Sequence, residues 1–514
     1  MSRRRHRSGG SPARTWSARL LLSSLALAAG AALGAVAGSR APAERLDAYS
    51  WFDPLVDVQQ LIAQRYVDEP PLAKMQQRAL EAMVEALGDP YSRFIPKEDI
   101  AAFNKQVRGE YVGIGATVRL LDGVVTIVTP HAGSPALAAG VKPGDRVVAV
   151  DGQDVVGMAV DEVVELLTGE PGSSVWVTFE RDGQRFERTI VRAPIVTRSV
   201  EGLVRRGQDW SWWLDPEEKI AYLRITHFGA QTGREFRAAL TTLKEQGVRG
   251  LVLDLRFNGG GLVASAVEVV DALLDKGLIF SAKGRAHPET RVEARAETTI
   301  LPTAPLAVLV NSQSASASEI VAGALKGDSR ALIVGERTFG KGVMQATLSL
   351  PSGAGQLHLT EQRYYLPTGR PIHRMDDSTE WGVDPSDGYF LPMDAEQYEA
   401  MLEVRTELDA IHAQAPSPED VQLPQTGRDP AWVRERLKDP QLALALEALE
   451  ARLATGAWPV RTQEAPAATL AQAEELKQLR RFARRLEEQL ERVRRRIDAL
   501  TVDAPQADDA AEEP

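Results

Sequence analysis

The chain contains no cysteine. That excludes disulfides, thiolate metal sites and a cysteine nucleophile, though not an exported location, since exported proteins can also lack cysteine. It also lacks positive charge in excess. The formal net charge is −11 over 514 residues, so the basic surface that a nucleic-acid partner requires is missing. No Gly-x-Ser-x-Gly elbow occurs, and no signature around the seven histidines suggests a triad. A serine enzyme built on this chain needs a base of another kind. The N-terminus, in contrast, is rich in charge and then devoid of it. Arg3, Arg4, Arg5, His6, Arg7, Arg14 and Arg19 precede a run from Leu20 to Ser39 without a charged residue. A basic flank before an apolar run is an export signal or membrane anchor. Its length suits an anchor. Its small residues, with Ala35-Val36-Ala37 as a cleavage-like site, suit a cleaved signal. Either way the rest of the chain is placed in the cell envelope or periplasm, touching membrane through this segment alone.

The remainder reads as an α+β multidomain chain. After the 1–39 signal or anchor comes a helical region, 40–107. There Leu55, Val58, Leu61 and Ile62, then Leu80, Met83, Val84 and Leu87, recur at helical spacing. Gly88-Asp89-Pro90 stops the second helix, and Ile100, Phe103 and Val107 suggest a third. Residues 108–194 change to short β-like runs separated by Asp-Gly and Pro-Gly turns, with one helix, Val160–Leu167. Strands and helices alternate over 195–390, which argues a layered α/β core. Runs 344–350 and 356–365 are read as continuing its sheet. A helical extension, 391–465, is broken by prolines that include Pro430 and Pro440. In 466–500, Leu476, Leu479, Ala483, Leu486 and Leu490 step by threes and fours, the seam of a short coiled coil. An acidic tail, 501–514, closes the chain.

Chemistry concentrates at two places. Asn311-Ser-Gln-Ser-Ala-Ser-Ala-Ser-Glu-Ile320 follows a buried strand and opens a helix. A serine there is exposed at the sheet edge, beside first-turn amides that lack internal partners and can hold an oxyanion. A plain Ser-rich N-cap fits the same residues. The second place is Arg337-Thr-Phe-Gly-Lys341-Gly, where glycines permit the close backbone approach that buries a lysine. A free lysine titrates near about 10.4, so burial must lower it before it can act as a base. Two look-alikes fail. Gly335 to Gly342 follows a phosphate-loop spacing but has glycine where the metal-binding hydroxyl belongs. Gly259-Gly-Gly261-Leu-Val-Ala264 imitates a dinucleotide turn, yet Asp254-Leu-Arg256 before it has no role in one.

Taken in order, several segments together resemble the carboxyl-terminal processing (tail-specific) protease family. They are Gly88-Asp-Pro-Tyr-Ser-Arg-Phe94, Gly109-Glu-Tyr-Val-Gly-Ile-Gly115, Leu253-Asp-Leu-Arg-Phe-Asn-Gly-Gly-Gly261, Ser314-Ala-Ser-Ala-Ser-Glu-Ile320 and Gly335-Glu-Arg-Thr-Phe-Gly-Lys-Gly342, closing with Gln345. The resemblance covers roughly residues 50–386. It implies a crotonase/ClpP-like peptidase core, with Ser316 as nucleophile, Lys341 as base and Gln345 orienting the lysine. It further implies an oxyanion hole from the amide of Ala317 and a glycine amide, Gly260 ahead of Gly261. Asp254 and Arg256 are read as holding the turn together. Residues 108–194 resemble a PDZ domain, which implies that Gly113, Ile114 and Gly115 hold the terminal carboxylate of a bound protein. No metal or cofactor is implied. The partners implied are protein or peptide substrates, a second copy of the chain and a regulatory envelope protein. Many relatives carry aspartate where this chain has Gly327, with Asp328 next door; the closing Gly382-Val-Asp-Pro385-Ser-Asp387 is a loose match; and the C-terminal extension has no counterpart. The rival reading is an envelope scaffold that binds C-termini without cleaving.

Overall fold

A computed structural model describes residues 50–101, 103, 111–131, 133–195, 198–206, 209–375, 378–409 and 427–461, with scattered positions between 476 and 494. The chain divides into two compact units, Met1–Met83 and Val84–Pro514. The first presents helix α1, Asp53–Arg65, which has proline in its first turn, and the start of α2, Leu72–Glu85; neither helix buries a residue. The α1 stripe of Leu55, Val58 and Leu61 is exposed.

In the second unit, Gly88 has a positive φ of 66°, a backbone that ends a helix readily only for glycine. Strand β1, Arg93–Pro96, follows. Ile100 and Phe103 are helical, while Val107 lies outside the described residues.

Next comes a small β module. Its strands are β2 (Tyr111–Gly113), β3 (Ala116–Leu121), β4 (Val124–Pro130) and β5 (Arg146–Val150); after helix α3 (Val160–Leu167) come β6 (Ser174–Arg181), β7 (Gln184–Val191) and β8 (Ala193–Ile195). The order β3-β4-β5-β6-β7 leaves β3 on the edge, and β2 pairs with β8. Val125, Ile127, Val147, Val163, Val177 and Phe179 form its core. Their period-2 spacing in the strands and 3–4 spacing in the helix put one face of each inward. Arg192 donates to the carbonyls of Leu166 and Leu167, satisfying the open end of α3.

The α/β region uses β9 (Ile220–Ile225), α4 (Thr232–Glu245), β10 (Gly250–Asp254), α5 (Val263–Asp271), β11 (Leu278–Lys283), β12 (Thr290–Glu293), β13 (Leu306–Val310), α6 (Ala317–Gly327), β14 (Leu332–Gly335), β15 (Val343–Ser349) and β16 (Gly355–Tyr365). Strands β9, β10, β13 and β14 pair in parallel, in that order. They are buried throughout and, apart from Arg224 and Asp254, read as apolar runs. Leu253 and Val308 face α4, α5 and α6. Val252, Ala307 and Leu309 face the opposite way.

Two expectations are corrected. Strands β15 and β16 do not continue this sheet. They form a hairpin in a separate antiparallel sheet with β1, β11 and β12. Their residues are mostly half-buried, as one-sided antiparallel strands are, whereas the core strands are wholly covered. The second concerns the prolines of the extension. Pro430 and Pro440 open helices α8 (Pro430–Arg436) and α9 (Pro440–Thr455), after α7 (Ala395–Asp409). Proline at the first helical position loses no hydrogen bond, and Asp429 and Asp439 cap the following amides. Helix α9 is apolar almost all round. Leu442, Leu446 and Leu449 lie against the Val252–Leu309 face of the parallel sheet, which is where such a helix must go.

Residues 20–39 and the acidic tail lie outside the described residues. Of the coiled-coil segment, Leu476, Leu479, Leu486 and Leu490 are described as helical and exposed; its pairing lies outside them. Among the described residues no helix is long and apolar enough to cross a membrane.

Candidate active site

Two turns meet at the C-terminal ends of β10 and β13. The first, Leu255 to Gly261, leaves β10. Its backbone takes positive φ at Phe257 (64°), Gly260 (103°) and Gly261 (141°). Side chains are excluded at both glycines by close approach. A Cβ on Gly260 would lie 2.7 Å from Cβ of Ser316, and one on Gly261 2.3 Å from the Phe228 carbonyl oxygen.

The second turn, Asn311 to Ser316, leaves β13 and opens α6. Its serines divide sharply. Ser314 donates to the Leu255 carbonyl at 2.8 Å, and Ser318 to the Asn258 carbonyl at 2.9 Å. Both are fully buried and lace one turn to the other. Ser316, between them, is only half-buried and forms no side-chain cap bond. Among the described residues its hydroxyl makes no hydrogen bond. Its φ of 57° and ψ of −112° are unusual for a side-chain-bearing residue, and such strain persists only when surrounding contacts enforce it. The amide of Ala317, next along, also has no partner among the described residues. So has that of Gly261. The amide of Gly260, by contrast, donates to Asn258 Oδ1 at 2.9 Å.

Lys341 lies on the loop between β14 and β15. Glycine is required on each side. A Cβ on Gly340 would meet Trp381 at 2.5 Å and one on Gly342 the His373 amide nitrogen at 2.3 Å. The lysine is half-buried, and burial pushes its ammonium pKa below the ordinary value, while Asp89 and Glu319 pull it back up. Its Nζ lies 4.7 Å from the centre of the Tyr91 ring, a cation–π placement. No hydrogen bond joins it to Ser316 here.

Glu319 ties the serine to the lysine. Its carboxylate is fully buried. Oε1 accepts from Thr338 Oγ1 at 2.6 Å and the Gly340 amide at 2.7 Å; Oε2 accepts from the amides of Ser316 and Lys341, each at 2.8 Å. Burial pushes its pKa up to about 7 against the pull of these donors. Every partner donates, so the ionised form is the one that fits. Sequence reasoning passed over this residue. Its signal was present: Ser316-Ala-Ser-Glu319 has the S-x-x-E spacing at a helix start, where the glutamate reaches back to the serine amide.

Comparison with known proteins gives the family. Residues 219–386 match the model of peptidase family S41, and residues 126–181 that of the PDZ domain. The chain is 33% identical over 364 residues to the chloroplastic C-terminal processing peptidase of Tetradesmus obliquus, covering 68% of this chain and 74% of that one. The chain belongs to peptidase family S41. A probable CtpA-like serine protease of Staphylococcus haemolyticus is 34% identical over 310 residues, 60% of each chain, so the match spans about three fifths of that relative's length. Among solved structures, the photosystem II D1 C-terminal processing protease is 31% identical, with a TM-score of 0.41 over 70% of this chain and 97% of that one.

Within this S41 chain the remaining expected site residues are placed as follows. Gln345 lies on β15, and its Nε2 donates to Thr360 Oγ1 at 3.0 Å; among the described residues no hydrogen bond joins it to Lys341. Asp328 sits at the far end of α6 from Ser316, so it takes no part in this cluster. Gly113, Ile114 and Gly115 lead from β2 into the edge strand β3 beside α3. Ile114 is buried in the module core. Gly115 has φ of 74°, and a Cβ there would meet Ser134 at 2.5 Å. The amides of Ile114 and Gly115 have no partner among the described residues.

Proposed function

We propose that the chain is an exported serine endopeptidase that receives proteins by their C-termini and cleaves them through Ser316 and Lys341. The observation that carries this reading is Ser316 itself. It is strained, has a free hydroxyl between two bonded serines, and is joined through the Glu319 carboxylate to the backbone of a half-buried lysine. For reaction, the Lys341 side chain turns from the Tyr91 face towards Ser316. Catalytic contacts often close only with substrate bound. Neutral Nζ takes the proton from Ser316 Oγ, and Oγ attacks the scissile carbonyl carbon. The oxyanion is received by the amide of Ala317 and by a glycine amide of the 258–261 turn; Gly261 has the free one, while that of Gly260 is held by Asn258. Collapse releases the amine with the proton from Lys341, leaving an ester on Ser316. Water, deprotonated by Lys341, then hydrolyses it. Incubating the chain with an unfolded protein tests the reading: wild type should fragment it and Ser316→Ala should not. Equal fragmentation by the two would refute it, and no fragmentation by either would favour the scaffold.

The pH profile has a defined sign. Only neutral Lys341 accepts a proton, so kcat/KM should rise with pH through a pKa below the ordinary lysine value. Asp89 favours the ammonium, so Asp89→Asn should move this rising limb to lower pH. A limb that stays in place or moves upward would show that another group is the base.

The edge strand β3, with the amides of Ile114 and Gly115 that have no partner among the described residues, suits an added substrate strand and its terminal carboxylate. Amidating a peptide substrate's C-terminus should raise KM roughly ten- to hundredfold, since hydrogen bonds to a charge are lost. Equal KM for free and amidated peptides would rule out capture by this loop.

A further inference from the structure

The C-terminal extension reaches both turns of the site, and it does so through buried polar contacts. Arg256, at the head of the glycine turn, is fully buried. It donates to Asp254 through Nε and Nη2 at 3.0 and 2.7 Å. Its other contacts are to the extension: Nη1 and Nη2 reach Asp439 at 2.9 and 2.6 Å, and Nη1 reaches Gln441 at 3.0 Å. Arg405 of α7 adds a second cation, 3.0 Å from Asp254. Two arginines thus balance two aspartates, and removing any one leaves a buried charge uncompensated. One residue on, Phe257, with its positive φ, packs edge-on against Tyr398 of α7, with ring centres 5.3 Å apart. The Tyr398 hydroxyl also donates to Glu336 Oε1 at 3.0 Å, and the Met393 amide to the same oxygen at 3.1 Å. Glu336 opens the loop that carries Lys341.

A helix layer needed only to cover the sheet would be served by α9 and its leucines. The ion cluster and the Tyr398 contacts do not add to that cover. They converge on the first residues of the oxyanion turn and of the lysine loop. We infer that residues 391–409 and 427–461 are a positioning element of the active site, holding the oxyanion turn through Asp439–Arg256 and the lysine loop through Tyr398–Glu336. The inference rests on the Ser316–Lys341 reading above. None of these residues touches substrate; each acts through a turn.

The test uses the full chain bearing Asp439→Asn, Asp439→Glu or Tyr398→Phe, with wild type and Ser316→Ala alongside. Active sites are counted by labelling with a serine-directed fluorophosphonate, and folding is checked by circular dichroism. Asp439→Asn should lower kcat per labelled site roughly 10- to 100-fold with KM unchanged and leave the pH limb in place, because the oxyanion turn and not the base is disturbed. Asp439→Glu should recover part of the loss. Tyr398→Phe should lower kcat severalfold and displace the pH limb, because it loosens the lysine loop. If Asp439→Asn does not fold, Tyr398→Phe decides alone, since it removes one oxygen, beside Glu336 and Gln441, and leaves the two arginines and two aspartates of the ion cluster in place. Wild-type kcat and pH profile in folded variants, with Ser316→Ala inactive, would overturn the positioning role alone. An active Ser316→Ala would overturn the dyad reading beneath it.

Discussion

Lys341→Ala and Ser316→Ala are each expected to lower peptide hydrolysis by roughly 10⁴-fold or more, and the double variant is expected to be no worse than either. In the proposed mechanism nucleophile and base act as one unit. Without the amine, the hydroxyl stays protonated; without the hydroxyl, the amine has nothing to activate. Neither change should unfold the chain. The Ser316 hydroxyl makes no hydrogen bond to any described residue, and Lys341 holds its place by its backbone amide on Glu319. Residual activity should come from the oxyanion amides and substrate binding. Measurement of kcat on a defined peptide, with thermal unfolding in parallel, checks this. Full activity in Lys341→Ala would move the search to the histidines, beginning with His373, whose ring lies 6.1 Å from that of Tyr91.

Glu319→Gln is expected to lower kcat by about 10²- to 10³-fold, a loss of the size seen when an oxyanion donor is removed, while KM changes little. The carboxylate accepts from four donors in a buried place. A glutamine would turn an amine towards donors and leave at least one of them unpaired, the costly side of the hydrogen-bond balance. Either turn would then shift, and small misplacements at reacting atoms are expensive in rate. The pH profile separates this from a plain packing defect. With its pKa pushed up to about 7, Glu319 gains a proton as pH falls through neutrality. Wild-type kcat should therefore fall there, beyond the loss due to Lys341. Glu319→Gln should lack that limb, because it has nothing to titrate. If the variant keeps the wild-type kcat, or keeps the limb, Glu319 does not position the pair.

How far the sequence reached depends on how local each determinant is. The settings of Ser316 and Lys341 are local, a serine-rich strand-to-helix turn and a lysine between glycines that are sterically required, but a plain N-cap fits the first as well, and it was the resemblance that singled out these two residues. The parallel strands were legible from apolar runs that only Arg224 and Asp254 interrupt. Strands β15 and β16 gave alternating, half-buried patterns that assign a strand but not its partner, so they were placed in the wrong sheet. Gly260 was placed ahead of Gly261, because nothing in the spacing shows that Asn258 already engages the Gly260 amide. Pro430 and Pro440 were read as breaks, although each follows an aspartate cap and so marks a start. The extension was illegible for a different reason. Its links to the site, Asp439 to Arg256 and Tyr398 to Glu336, join residues far apart in the chain, and nothing in the local spacing announces them.

The claim that Ser316 is the nucleophile can be read directly as mass. After reaction with the fluorophosphonate at pH 8, the intact protein should gain one adduct, and peptide mapping should place it on Ser316. Lys341→Ala should acquire it far more slowly, and Ser316→Ala not at all. An adduct on any other serine that abolishes cleavage, or rapid labelling of Lys341→Ala, would contradict the account.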